Sequence, residues 1–181
     1  ALVPDLQEQD VPGGQRHHRP PRQGVQTTKT QGMKAELWLI GKTAFPYLEE
    51  GMAVYEKRLV HYLPFATTVL PDVKNAGSLN ADQLKQKEGE LVISRLKKED
   101  LLVLLDERGK QLTSVEFASF MEQKLQLGSR RLVFLVGGAW GFSEAIYQRA
   151  DQQLSLSKMT FSHQMVRLFF LEQLYRAMTI L

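Results

Sequence analysis

Two short runs, residues 101–105 (LLVLL) and 132–136 (LVFLV), are apolar at every position. A strand without polar alternation must be covered on both faces, and such strands belong to parallel sheets flanked by helices. The stretches around these runs read as helices. Over 46–63, Leu48, Met52, Tyr55, Leu59 and Tyr62 recur every three to four residues, and Pro64 stops the run. Asn80 with Gln83, and Thr113 with Glu116, have the spacing of capping boxes. They open helices running to about residue 96 and over 114–127, the second closed by Gly128. Further strands are expected at 34–40, 65–70 and, more weakly, 154–156. Ser143 caps a short helix to about Arg149, and a long helix covers 164–180. This alternation predicts one α/β domain whose mostly parallel sheet carries helices on both faces.

The domain begins at Met33. Residues 1–32 hold four of the seven prolines and none of the sixteen aromatics, and their few apolar residues show no period. Such a segment buries too little surface to offset its ordering entropy, so 1–32 is expected to be a disordered leader or non-native extension and 33–181 the folded domain. His17 and His18 have no third ligand nearby, so no metal is expected. The absence of cysteine among 181 residues excludes disulfides, thiolate metal sites and a cysteine nucleophile. No apolar run approaches the roughly 18 residues of a membrane span, and no signal peptide opens the chain, so a cytoplasmic protein is expected. The net charge of +3 is too small to coat nucleic acid by bulk attraction. Any RNA contact must rest on a local cluster, for which Lys158, His163, Arg167 and Arg176 are the candidates.

In open α/β sheets, ligands sit outside the carboxyl ends of the strands. Three such ends draw attention: Leu105 into Asp106-Glu107-Arg108-Gly109, Val136 into Gly137-Gly138-Ala139-Trp140-Gly141, and Leu156 into Ser157-Lys158-Met159-Thr160-Phe161-Ser162-His163. The glycine loop is neither a dinucleotide fingerprint nor a Walker A loop. From its pattern alone, a tight turn and a ligand loop are equally open; Trp140 could stack on a base or pack in an interface, simple packing being the commoner role of such a ring. His163 and Arg167, four residues apart, share a helix face; the alternative is a solvated histidine and a surface arginine at a helix start. The last helix is apolar over so wide an arc, including Phe169, Leu171 and Tyr175, that a second subunit is expected against it.

Read in order, "LLDERGK", "FLVGGAWGFSEAI" and "LSLSKMTFSHQMVRLFFLEQLYRAMTIL" resemble the RlmH family, bacterial large-subunit pseudouridine methyltransferases of the SPOUT class. "MKAELWLIGK" and "YEKRL" resemble the amino-terminal half of that family. The resemblance runs from Met33 to Leu181. It implies S-adenosylmethionine as methyl donor, N3 of a pseudouridine in 23S rRNA as acceptor, a homodimer and a carboxyl-terminal trefoil knot. It places cofactor binding on Leu105, Gly137, Leu156, Ser157, Lys158, Met159, Thr160 and Phe161. His163 is the candidate base for the N3 proton, with Arg167 holding a phosphate or polarising a uracil oxygen; alignment of the reactants without a base is the alternative. The family usually continues into a tail of the kind Gly-Glu-x-Tyr-His-His, which is expected to be missing here, and 1–32 has no counterpart in it. A non-catalytic RNA- or ribosome-binding dimer of the same fold is the competing reading, and flavodoxin-like nucleotide binding by the glycine loop a third.

Overall fold

The apolar strands divide their side chains between two cores. In β4 (Arg131–Val136), Leu132, Phe134 and Val136 enter one, and Val133 and Leu135 the other. The same alternation holds in β3 (Leu101–Gln111), with Val103 and Leu105 opposed to Leu102 and Leu104. It holds again in β1 (Lys34–Ile40), with Ala35, Leu37 and Leu39 opposed to Trp38 and Ile40. With β2 (Phe65–Leu70) and β5 (Gln152–Ser155), these strands form a parallel sheet of order β2-β1-β4-β3-β5. This computed structural model describes residues 33–128 and 131–181. The expectation for 1–32 lies outside the described residues.

Helices cover both faces, as the uninterrupted apolar runs require. The larger core lies under α1 (Pro46–Leu59), α3 (Ser114–Leu125) and α5 (Met165–Ile180), with α5 packed on both of the others. The smaller core lies under α2 (Ala81–Arg95) and α4 (Glu144–Arg149), which pack on each other. Both expected capping boxes form. Asn80 accepts from the Gln83 N–H at 2.9 Å, and Thr113 accepts from the Glu116 N–H at 3.2 Å, each with the reciprocal bond.

Four expectations need correction. The α1 helix ends at Leu59, not residue 63; Tyr62 and Leu63 form a further turn on the Leu59 carbonyl. Strand β5 lies two residues earlier than expected at its start, because Gln152 and Gln153 pair with β3 through the backbone, which needs no apolar side chains. Strand β3 continues six residues past Leu105. Its register against β5 shifts between Leu105 and Lys110, and Gly109 admits the Leu154 backbone where any side chain would collide. Ser143 precedes α4 without capping it, and its buried Oγ lacks a hydrogen-bond partner among the described residues.

The amino edge of the sheet is tied by charge. Burial alone would raise the pKa of Asp100, but the Arg131 guanidinium and the Lys97 N–H hold its carboxyl below the ordinary range. Arg131 also stacks 5.0 Å over the Trp38 ring, whose Nε1–H donates to Glu36 at 2.7 Å. The carboxyl edge is left to the loops.

Candidate active site

A cavity of about 430 Å³ opens over the carboxyl ends of β3, β4 and β5. That size suits a small organic ligand. Its base is apolar, formed by Leu105, Val136, Leu154, Leu156 and Phe142. The loop after β5 makes one wall. There Ser155 Oγ donates to the Ser157 carbonyl at 2.8 Å, and the Met159 N–H donates to Ser157 Oγ at 3.0 Å. These bonds turn the chain so that Met159, Thr160 and Phe161 border the cavity. Phe161 is braced by Phe169 of α5, with ring centroids 4.7 Å apart.

The glycine loop makes the opposite wall, and its glycines answer to different neighbours. A Cβ on Gly137 would sit 3.1 Å from Phe142 Cε1. One on Gly138 would sit 2.7 Å from both carboxylate oxygens of Glu88. Gly141 adopts φ +80°, a left-handed conformation that costs glycine little. Trp140, at the loop tip, borders the cavity mouth and is 63% exposed.

Of the sequence-predicted positions, Leu105, Gly137, Leu156, Ser157, Met159, Thr160, Phe161 and His163 line this one cavity. Lys158 and Arg167 do not. Burial, then the nearby Arg167 charge, lowers the pKa of His163, so its imidazole is neutral at pH 7. For Arg167, expected to hold a phosphate or polarise a uracil oxygen, the alternative of a surface arginine does not hold. It is fully buried, donating to the carbonyls of Ile40 at 2.8 Å, Gly41 at 3.0 Å and His163 at 3.1 Å, and to Thr43 Oγ1 at 3.1 Å. It is an internal clamp between α5 and the end of β1. Arg176 is likewise engaged, bonded to Glu172 at 2.5 Å one turn earlier on the same helix.

Sequence reasoning missed a polar triad on the cavity's edge. Asp106 accepts from Tyr147 Oη at 2.5 Å, and Arg108 bonds the same hydroxyl while lying 4.8 Å over the Tyr147 ring. Burial and the Asp106 carboxylate push the Tyr147 hydroxyl up to about 12, so it stays protonated. All three line the cavity. Their signal was faint, since the triad joins an unrecognised strand extension to the middle of a short helix. Among the described residues, no group of histidines and carboxylates could hold a metal ion. No described helix is long and apolar enough to cross a membrane.

Residues 33–181 match a sequence model described as "Predicted SPOUT methyltransferase". The chain belongs to the SPOUT methyltransferase family. Among its relatives is the ribosomal RNA large subunit methyltransferase H of Parabacteroides distasonis, 54% identical over 149 residues, covering 82% of this chain and 95% of the relative. The protein of the same name from Cytophaga hutchinsonii is also 54% identical, over 82% of this chain and 96% of its own length. That of Christiangramia forsetii is 51% identical, over 82% and 95%. Identity at this level over nearly the whole of each relative places the chain in the RlmH group of the SPOUT family. The parallel sheet flanked by helices is consistent with the SPOUT fold.

Proposed function

We propose that this protein is an rRNA methyltransferase that transfers a methyl group from S-adenosylmethionine to N3 of a pseudouridine in 23S rRNA. The observation that carries this reading is the convergence of three loops, distant in sequence, on one cavity lined by eight of the ten cofactor and catalytic candidates. The residues present fit the cofactor. An apolar base and the Met159 and Phe161 side chains suit an adenosine group, and Gly137 and Gly138 leave backbone accessible beside it. Lys158, outside the lining, serves through its backbone in holding the loop between Ser157 and Met159.

S-adenosylmethionine supplies an activated methyl, so the protein has chiefly to align the acceptor and exclude water. The apolar base and the wall 156–161 do the second. His163, bordering the cavity and held neutral, is the proposed acceptor of the N3 proton. Arg167 is a positioning residue for it: its Nε–H fixes the His163 carbonyl while its other donors grip the end of β1.

A homodimer is part of the same reading, as are cytoplasmic location and the carboxyl-terminal knot. Of the α5 residues expected at the interface, Leu171 is buried in the core and Tyr175 packs between Tyr55 and Tyr62. Phe169, Ile180 and Leu181 stay exposed, as does Tyr62, whose ring meets that of Tyr175. They are the apolar surface available to a second copy. Light scattering at micromolar concentration checks this, a monomer counting against it. The decisive test of function is methyl transfer to ribosomes from a strain lacking its own enzyme of this kind, with the modified nucleotide mapped by mass spectrometry. Methylation at pseudouridine N3 is expected. Tight S-adenosylhomocysteine binding without any transfer would favour a different acceptor, and no binding would favour an RNA-binding protein without catalysis.

A further inference from the structure

The α2 helix carries an ionisable group with no evident partner. Glu88 is 8% exposed, and among the described residues its carboxylate takes part in no hydrogen bond or ion pair. It is seated directly beneath the glycine loop, in space left by the missing side chain of Gly138. The next residue, Gly89, makes the reciprocal fit: a Cβ there would collide with Ser143 Oγ and lie 3.2 Å from Ile146 Cγ1. Loop and helix thus interlock at two points, one acidic. A glycine within a helix costs stability, and here it is explained by this close approach.

We propose that Glu88 is the positioning residue of the glycine loop, and that its state of protonation sets how well the loop holds the cofactor. The inference rests on the methyltransferase reading of the cavity. Burial, and secondarily the charge of Asp72, push the Glu88 carboxyl up to about 7, so both forms are populated near neutrality. The other charged groups around it are engaged elsewhere. Lys85, one turn earlier, pairs with Asp82 at 2.9 Å, and Arg167, which also feels the charge of Asp72, is bonded to carbonyls. On α4, Glu144 bonds Gln148, and Arg149 bonds Asp151 and the carbonyls of Lys97 and Asp100. The loop from Gly137 to Ser143 contains no titratable side chain. Among the described residues, no positive charge offsets the ionised form.

A ligand lying against Gly137 and Gly138 removes the remaining water from the carboxylate beneath them. Binding therefore favours the neutral acid, whose small volume fits the interlock without a desolvated charge. An ionised Glu88 is drawn towards water and away from Asp72, and the loop above it loosens.

The test uses calorimetry of S-adenosylhomocysteine binding to the full chain between pH 6 and about 8.5, with the intrinsic fluorescence of the unliganded protein alongside. Trp140 reports on the loop, while buried Trp38 gives a constant background. For the natural sequence, affinity is expected to fall by up to about tenfold per pH unit above pH 7, and Trp140 emission to shift with a midpoint near 7. In Glu88→Gln, which keeps shape and burial, both profiles are expected to be flat, and Glu88→Asp is expected to restore a titration. A slope that survives in Glu88→Gln overturns the proposal, as does a flat profile in the natural sequence. Failure of S-adenosylhomocysteine to bind at any pH would sink the methyltransferase reading; the fluorescence transition, read without ligand, would then decide the link between Glu88 and the loop by itself.

Discussion

Arg167, on the first turn of α5, donates Nη2–H to the carbonyl of Ile40, the last residue of β1, at 2.8 Å. With the bonds to Gly41 and Thr43, this joins the closing helix to a strand more than a hundred residues earlier in the chain. Desolvation lowers the guanidinium pKa from its ordinary value, against the opposing pull of the Asp72 charge.

Arg167→Ala leaves those carbonyls buried without donors. We expect a loss of about 3 kcal/mol in unfolding free energy, with weakened cofactor binding as a consequence of the displaced His163 backbone. Arg167→Lys, with charge but no planar fork, is expected to recover less than half of it. Urea denaturation measures this. A loss below about 0.5 kcal/mol for the alanine variant would mean that the clamp contributes nothing and that Arg167 is better sought in RNA contact.

Gly137 gives a sharper test of what the glycine loop needs. Since a Cβ there meets Phe142 at 3.1 Å and 3.2 Å, intolerance would arise inside the protein before any ligand is touched. Gly137→Ala is expected to weaken S-adenosylhomocysteine binding about tenfold, and Gly137→Val to abolish it. Adding Phe142→Leu to Gly137→Ala should restore most of the affinity. No rescue in the double variant would show that the added methyl collides with the ligand itself.

The sheet and the site differ in how much of them could be read from the sequence. Strands β3 and β4 were legible because both faces are covered, which leaves a run such as LVFLV no other home. The continuation of β3 through Asp106–Gln111 was not, because it pairs through backbone around a shift in register and carries no apolar face. Arg167 falls on the first turn of α5 as expected, with His163 in the turn just before it, but spacing cannot say which side of a helix is inside. Four hydrogen bonds, two of them to the carbonyls of Ile40 and Gly41 at the end of β1, decided that. Glu88 carried one unread signal, the glycine following it in mid-helix, which marks the place where the side chains of Ser143 and Ile146 come close.

Trp140 is 63% exposed at the cavity mouth, so its removal should leave the fold almost untouched. Trp140→Ala is expected to change unfolding free energy by less than about 0.5 kcal/mol. If the ring stacks on a base of the substrate, the same variant loses about 1–3 kcal/mol of rRNA binding, and Trp140→Phe loses less. Titration with large-subunit rRNA fragments, followed by Trp140 quenching, measures the contact. Equal affinity in the alanine variant would remove Trp140 from the RNA surface.

The buried Glu88 makes a separate prediction about stability, independent of any ligand. Its carboxyl stands at about 7 in the folded protein against 4.5 ordinarily, so the folded state holds a proton that the unfolded chain has already released. The stability contributed by the protonated group is fully present below pH 4.5 and is lost as pH rises through 7. At roughly 1.4 kcal/mol per pKa unit, the loss reaches up to about 3 kcal/mol above pH 8. Glu88→Gln cannot ionise and escapes it. The variant should therefore match the natural protein near pH 4.5 and exceed it in unfolding free energy by up to about 3 kcal/mol at pH 8. Guanidinium denaturation at the two pH values makes the comparison, with other titrating groups cancelling between the proteins. A difference that stays constant from pH 4.5 to pH 8 would mean that Glu88 ionises as readily as an exposed carboxylate, and that the seat beneath Gly138 is open to water.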